Sequence, residues 1–109
     1  METYYEGDNI TNCPVASVQK IVRGKWTMVI IFFLSQGTLR FGELSRKMPQ
    51  VTQANLTKEL HMLEEYKMIH REVYKEVPPK VEYSLTDIGR KFLPVLVALE
   101  EWAIEYERI

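Results

Sequence analysis

The stretch REVYKEVPPKVEYSLT, residues 71–86, determines how the rest of the sequence is interpreted. From Val81 its apolar positions alternate with polar ones, which is the pattern of a half-buried strand. Proline has no N–H and fixes its φ, so Pro78–Pro79 belong in a hairpin loop or on an exposed edge rather than inside a central strand. Residues 71–86 therefore predict a β-hairpin with prolines at its tip and one lysine on each arm, Lys75 and Lys80.

Helical patterns surround this hairpin. The segments that favour helices before it lie at residues 12–24, 25–37, 42–48 and 50–68, with a short strand at 38–41. For the apolar segment 25–37 a buried strand is the alternative, and its length of about three turns favours the helix. After the hairpin, one long helix should run from Thr86 to about Arg108, and Pro94 should bend or interrupt its second turn.

Two short helices joined by a tight turn, with a hairpin directly after the second, form a winged helix-turn-helix. The predicted fold class is therefore mainly α with a small β-hairpin. In this fold the second helix fits a DNA major groove, which is about 12 Å wide. The hairpin is then the wing, and its proline tip and lysines suit contact with phosphates or a minor groove.

The same residues resemble the HxlR-type winged helix-turn-helix transcriptional regulators, relatives of the MarR group. The matching segments are CPV at 13–15, GKW at 24–26, LSQGTLRFGEL at 34–44, LTKELHMLE at 56–64 and PPKVEYSLTDIG at 78–89. The resemblance covers the chain from about residue 13 to its end, which gives an N-terminal tail over 1–12 and one domain over 13–109. It implies a homodimer that binds an inverted-repeat operator as a repressor or an activator.

One position departs from the family pattern. Where the family usually has glycine between the recognition helix and the first wing strand, this chain has Lys67. A residue there needs a positive φ if the turn is kept, and a non-glycine residue adopts it at a cost of about 1 kcal/mol. We expect the change to affect the angle of the wing and not the fold.

Polar residues on the predicted recognition helix lie opposite an apolar stripe formed by Leu56, Leu60 and Leu63. Asn and Gln pair with adenine, Lys with guanine or phosphate, and Thr with a base or a thymine methyl; a solvated polar face is the alternative. The candidate base contacts are Gln53, Ala54, Asn55, Thr57, Lys58 and His61. The candidate contacts to the DNA backbone are Arg40, Arg46, Lys47, Lys75 and Lys80. Any of these could be an ordinary surface charge, and Arg40 could instead form a salt bridge.

Composition excludes several other classes. The net charge is −1, but residues 39–80 carry eight basic and six acidic side chains, which is where an anionic partner would be met. The longest apolar run has seven residues, far short of the roughly 20 that span a bilayer, and the start lacks a secretory signal, so we expect no membrane partner and a cytoplasmic location. No phosphate-binding glycine loop or metal-ligand spacing is present, so we expect neither an enzyme nor a cofactor.

Cys13 is the only cysteine and precedes a proline at the start of the first helix. The partial positive charge of a helix N-terminus stabilises a thiolate, and in several branches of the resembling family the N-terminal cysteine senses oxidants or electrophiles. A small buried packing residue is the alternative.

The last helix carries more apolar surface than one small domain readily covers. Together with the first helix it predicts a dimer interface at Val18, Leu99, Trp102 and Tyr106, unless this face packs only on its own domain. The sequence thus predicts a dimeric, sequence-specific DNA-binding regulator, and a winged-helix module that binds only proteins is the competing interpretation.

Overall fold

The computed structural model describes residues 13–109, so the predicted tail over residues 1–12 lies outside the described part of the chain. Nine elements follow one another within residues 13–109, and their order agrees with the winged helix-turn-helix prediction. They are α1 (Pro14–Val22), α2 (Thr27–Leu34), β1 (Leu39–Arg40), α3 (Phe41–Lys47), α4 (Gln53–Glu65), β2 (Ile69–Tyr74), β3 (Lys80–Leu85), α5 (Asp87–Arg90) and α6 (Leu93–Glu107).

The helix-turn-helix consists of α3 and α4, and local signals set the limits of both helices. Glu43 accepts a hydrogen bond from the backbone N–H of Arg40 at 2.8 Å, which caps α3 from its first turn. Thr52 caps α4, because its hydroxyl accepts the backbone N–H of Asn55 at 3.1 Å. The segment 25–37 is helical over Thr27–Leu34, so the alternative of a buried strand is wrong.

The hydrophobic core lies between α2, the helix-turn-helix and the sheet. Its buried apolar side chains are Ile30, Ile31, Leu34, Leu44, Met48, Val51, Leu56, Leu60, Leu63, Met68, Ile69, Tyr83 and Leu85. The three leucines of the predicted apolar stripe on α4 belong to this set, so one side of α4 is fixed against the rest of the protein.

The wing belongs to a three-stranded antiparallel sheet with the order β1-β3-β2. The Pro78–Pro79 pair lies in the loop between β2 and β3, as the hairpin prediction requires. The short strand β1 pairs with β3, with Leu39 opposite Tyr83 and Arg40 opposite Glu82. The start of the helix-turn-helix is therefore attached directly to the wing, a pairing that the sequence pattern did not predict.

The long C-terminal helix predicted from Thr86 is divided into α5 and α6. Thr86 caps α5 by accepting the backbone N–H of Gly89 at 3.0 Å, and the chain leaves the helix after Arg90. Pro94 lies in the first turn of α6, where a missing N–H has no helical partner to lose. The predicted interruption at this proline is confirmed.

The terminal helices α1 and α6 contain no buried residue, so the described chain covers neither of them fully. Within residues 13–109, no helix is both long enough and apolar enough to cross a membrane.

Candidate nucleic-acid interface

The recognition helix α4 presents all six predicted base-contact side chains to solvent. Gln53, Ala54, Asn55, Thr57, Lys58 and His61 are all exposed. At 3.6 residues per turn they occupy one side of α4, opposite the buried side that carries Leu56, Leu60 and Leu63. The helix can therefore enter a groove without breaking any core contact.

The three predicted backbone-contact cations of the helix-turn-helix lie at the two ends of α3. Arg40 is exposed at the N-cap position, and no ion pair among residues 13–109 involves it. The predicted alternative, a salt bridge from Arg40 to a nearby carboxylate, is therefore absent from the described part of the chain. Arg46 and Lys47 are exposed in the last turn of α3, and the Lys47 ammonium lies 5.7 Å from the centroid of the Phe33 ring.

The two wing lysines are in different environments. Lys75 is exposed in the loop between β2 and β3, and no carboxylate within residues 13–109 forms an ion pair with it. The Lys80 ammonium lies 3.8 Å from Glu76 Oε1 and 3.9 Å from Glu82 Oε2, and its side chain is 26% exposed. It also lies 4.5 Å from the centroid of the Tyr74 ring. Contact between Lys80 and DNA stays a prediction, but Lys80 would have to leave these partners to make it.

The sheet face around Lys80 is acidic. A hydrogen bond to Glu82 is the largest cause that raises the pKa of Tyr74, and the negative charges of Glu82, Glu72 and Glu76 raise it further. The register puts Glu72 directly opposite Glu82 on this face. Its electrostatic potential therefore opposes the approach of phosphates.

Lys67 adopts φ 63°, in the left-handed region. This confirms the expectation that the residue between the recognition helix and the wing needs a positive φ. The turn is held by hydrogen bonds on both sides, since the Lys67 N–H donates to the Glu64 carbonyl at 3.0 Å and the Thr86 hydroxyl donates to the Lys67 carbonyl at 2.6 Å. The turn geometry is thus kept although the residue is not glycine.

Cys13 occupies the N-cap position of α1 as a half-buried free thiol, and its side chain makes no capping hydrogen bond. Three residues of α1, Val18, Ile21 and Val22, line an apolar groove of about 210 Å³ together with residues of α5 and its C-terminal end.

The predicted dimer residues are exposed. Val18 on α1 and Leu99 on α6 are both partly accessible, while Trp102 and Tyr106 are 61% and 60% exposed. The rings of Trp102 and Tyr106 stack with centroids 5.1 Å apart. The rest of the described chain, residues 13–109, leaves these four side chains exposed, and the dimer interface itself stays a prediction.

Sequence reasoning missed a contact between α4 and the turn that connects α1 to α2. The backbone N–H of Trp26 donates to Glu59 Oε1 at 2.7 Å, and the Glu59 side chain is almost fully buried. Beside this bond, a cleft of about 440 Å³ is lined by Arg23, Gly24, Lys25, Trp26, Asn55, Lys58, Glu59 and Met62. The sequence signal that could have indicated this cleft is the pair of cations on either side of Gly24 in the segment RGKW.

Arg71 was also missed as a candidate contact. It is exposed on β2 and lies opposite Tyr83, so it belongs to the sheet face that covers the core. This face is opposite the acidic one.

Comparisons with known proteins agree with this geometry. A profile of the HxlR-like helix-turn-helix family matches residues 21–108. The uncharacterized HTH-type transcriptional regulator YdeP of Bacillus subtilis is 44% identical over 103 residues, which cover 94% of this chain and 80% of YdeP.

Two solved structures are similar in both sequence and fold. A transcriptional regulator of the MarR family from Porphyromonas gingivalis W83 is 39% identical, with a TM-score of 0.83 over 93% of this chain and 97% of that one. The redox regulator HypR in its oxidized form is 42% identical, with a TM-score of 0.79 over 85% of this chain and 96% of that one. The family match covers most of the chain, and the fold is the same as in these regulators. This chain therefore belongs to the HxlR-like helix-turn-helix family and is a helix-turn-helix transcriptional regulator.

Proposed function

We propose that this regulator binds duplex DNA sequence-specifically, as a homodimer on an inverted-repeat operator. The observation that carries the proposal is the division of α4 into a side that is buried in the core and a side with six exposed candidate base contacts. The exposed side includes amide, hydroxyl and ammonium groups, which are the donors and acceptors that read base edges in a major groove. A regulator of this kind works where the DNA is, which agrees with the expected cytoplasmic location.

The terminal helices support the dimer. Val95, Leu99, Trp102 and Tyr106 recur along α6 at helical spacing and are all exposed, and Val18 adds apolar surface on α1. Aromatic residues of this kind dominate the energetics of protein interfaces. A two-fold dimer reads two half-sites that are about one helical turn, or a multiple of it, apart, so the operator should be an inverted repeat with that spacing.

Binding to promoter fragments tests the proposal and separates it from the competing one, a module that binds only proteins. Fluorescence anisotropy should be measured with fragments from around the regulator's own gene at several salt concentrations, and sedimentation should give the mass of the free protein. We expect a dimer, a preferred fragment and an affinity that falls steeply with salt. The absence of binding to every fragment at low salt would favour the protein-interaction module.

Substitutions separate sequence reading from backbone binding. Thr57→Ala and Lys58→Ala should each lose about 1–3 kcal/mol at the base pair they contact and relax the preference there. Lys75→Ala should weaken binding to all DNA sequences equally and reduce the salt dependence of the affinity. Lys91→Ala, which removes one exposed charge from the C-terminal end of α5, is the matched control. Unchanged affinity in both Lys58→Ala and Lys75→Ala would mean that α4 and the wing do not face DNA.

We also propose that Cys13 makes the regulator responsive to oxidants or electrophiles. HypR, which shares the fold, is a redox regulator. Because this chain has one cysteine, a disulfide would have to join two chains or capture a small thiol, whereas alkylation needs no second cysteine. Cys13 is the N-cap residue of α1, which carries part of the proposed dimer interface, so an adduct there would alter how the two recognition helices are spaced.

Operator binding before and after treatment with a quinone or an oxidant tests this role. Wild type and Cys13→Ser should be compared, with mass spectrometry to identify the adduct. We expect treatment to change the affinity of the wild type and to leave the variant unaffected. A wild type that is modified at Cys13 but binds DNA unchanged would show that the thiol is not the switch.

A further inference from the structure

The cleft between α4 and the α1–α2 turn concentrates positive charge, and two of its three cations belong neither to the helix-turn-helix nor to the wing. Arg23 and Lys25 come from the turn, and Lys58 comes from α4. No ion pair within residues 13–109 neutralises any of the three cations. The only carboxylate among the lining residues is Glu59, which is 7% exposed and accepts the Trp26 N–H. The open side of the cleft is therefore cationic.

The turn is fixed to the recognition helix, so these cations have a defined position relative to it. Helix α2 has no side-chain cap of its own, and Glu59 from α4 accepts the N–H at its start instead. Gly24 permits this close approach, because a Cβ there would overlap Glu59 Oε1 and lie 2.7 Å from Thr27 Cγ2. When α4 sits in a groove, Arg23 and Lys25 are held at a fixed distance from that groove.

The position of the cleft on α4 indicates what it meets. Asn55, Lys58, Glu59 and Met62 follow the i, i+3, i+4, i+7 spacing and form one stripe along a flank of the helix. Asn55 and Lys58 also belong to the exposed side with the candidate base contacts. A helix with side chains is about 10–12 Å wide and nearly fills a major groove, so its flanks face the phosphate backbones at the groove edges.

We propose that the α1–α2 turn is an additional contact to the DNA backbone, in which Arg23 and Lys25 bind a phosphate at the edge of the groove that α4 occupies. This inference rests on the proposed DNA binding and extends the protein's footprint beyond the helix-turn-helix and the wing. Arginine and lysine are the residues that neutralise phosphates. Lys58 lines the same cleft, so this site lies directly beside the base-reading side of α4.

The double variant Arg23→Ala/Lys25→Ala tests the proposal in the full chain. If it loses one phosphate per protomer, the slope of log affinity against log salt should fall by about 1.8 for the dimer, since each phosphate contributes about 0.9. The same relation predicts an affinity about 60-fold lower at 0.1 M salt, with the difference vanishing toward 1 M. The loss should be equal for operator and unrelated DNA.

Lys91→Ala/Arg108→Ala is the charge-matched control, because it removes two exposed cations that lie outside the cleft. Thermal unfolding and sedimentation should confirm that both double variants are folded dimers. Ethylation interference gives a direct readout. Ethylation of one particular phosphate per half-site should weaken binding of the wild type and should have no effect on binding of Arg23→Ala/Lys25→Ala.

Four results overturn the inference, and the last of them also overturns the proposed function. The first is a wild type that binds the operator while the cleft variant keeps its salt slope, which refutes the contact but leaves the proposed function intact. The second is an equal loss in the control variant, which would indicate net charge alone. The third is stabilisation of the DNA-free wild type by inorganic phosphate at constant ionic strength, combined with unchanged DNA binding of the cleft variant, which would assign the cleft to a free anion. A wild type that binds no DNA refutes both the function and this contact.

Discussion

Replacing Glu59 by alanine should destabilise the protein more than any exposed substitution on α4. The Glu59 carboxylate accepts the Trp26 N–H at 2.7 Å from 33 residues away, and the side chain is almost fully buried. It supplies the cap that α2 lacks, and it joins the recognition helix to the start of a core helix. The substitution therefore leaves a helix-terminal N–H without its partner and opens space beside Gly24.

The magnitude follows from these contacts. A hydrogen bond with a charged partner contributes about 1.5–3 kcal/mol to stability. The lost burial of the side-chain methylene adds about 0.8 kcal/mol. We expect the free energy of unfolding of Glu59→Ala to fall by about 3 kcal/mol. Glu59→Gln keeps an acceptor oxygen of the same shape, and without its charge the side chain is easier to bury, so its loss should be below about 1 kcal/mol.

Urea unfolding followed by circular dichroism measures both values. Wild type and variants should be compared at one protein concentration, because the stability of the proposed dimer would depend on concentration. If Glu59→Ala lies within about 0.5 kcal/mol of the wild type, the bond contributes little net stability and the reasoning fails. An equal loss in Glu59→Gln would attribute the effect to the charge rather than to the acceptor geometry.

Three further substitutions test other parts of the structure. Lys67→Gly removes the side chain from a residue with left-handed backbone, which relieves strain in the folded state, but it also gives the unfolded chain more conformational freedom. The net result should be a free energy of unfolding that is higher by up to about 1 kcal/mol in urea titrations. Gly89→Ala introduces a Cβ that overlaps the Met68 carbonyl, so it should lose about 1–3 kcal/mol in the same assay. Trp102→Ala should raise the dissociation constant of the proposed dimer at least about tenfold in sedimentation experiments while the circular dichroism of the chain stays unchanged.

The sequence predicted the elements whose signals are local. Pro94 interrupts the C-terminal helix and Pro78–Pro79 mark the loop of the wing, because each acts within a few residues of its own position. The exposed side of α4 was predictable for the same reason, since helical spacing alone separates it from the buried leucines.

The missed features depend on residues far apart in the chain. Pairing of β1 with β3 brings Arg40 opposite Glu82, which no local pattern encodes. The partner of the Glu59 carboxylate is the backbone of a residue that precedes α2, 33 positions earlier in the chain. Hydrophobic periodicity identifies a buried apolar side, but it does not identify a buried carboxylate whose acceptor is satisfied by a distant N–H.

The distribution of charge in three dimensions constrains how the proposed complex with DNA is oriented. The excess of positive charge in residues 39–80 is small. The acidic face of the sheet has a local net negative charge, because Glu72, Glu76 and Glu82 surround Lys80 there. These carboxylates repel a phosphate backbone that approaches this face. At short range, solvent and salt screen this repulsion only weakly. The opposite face of the sheet carries Arg71. DNA must therefore meet the wing at its tip or from the side of Arg71, and this is the side on which the sheet packs against α4.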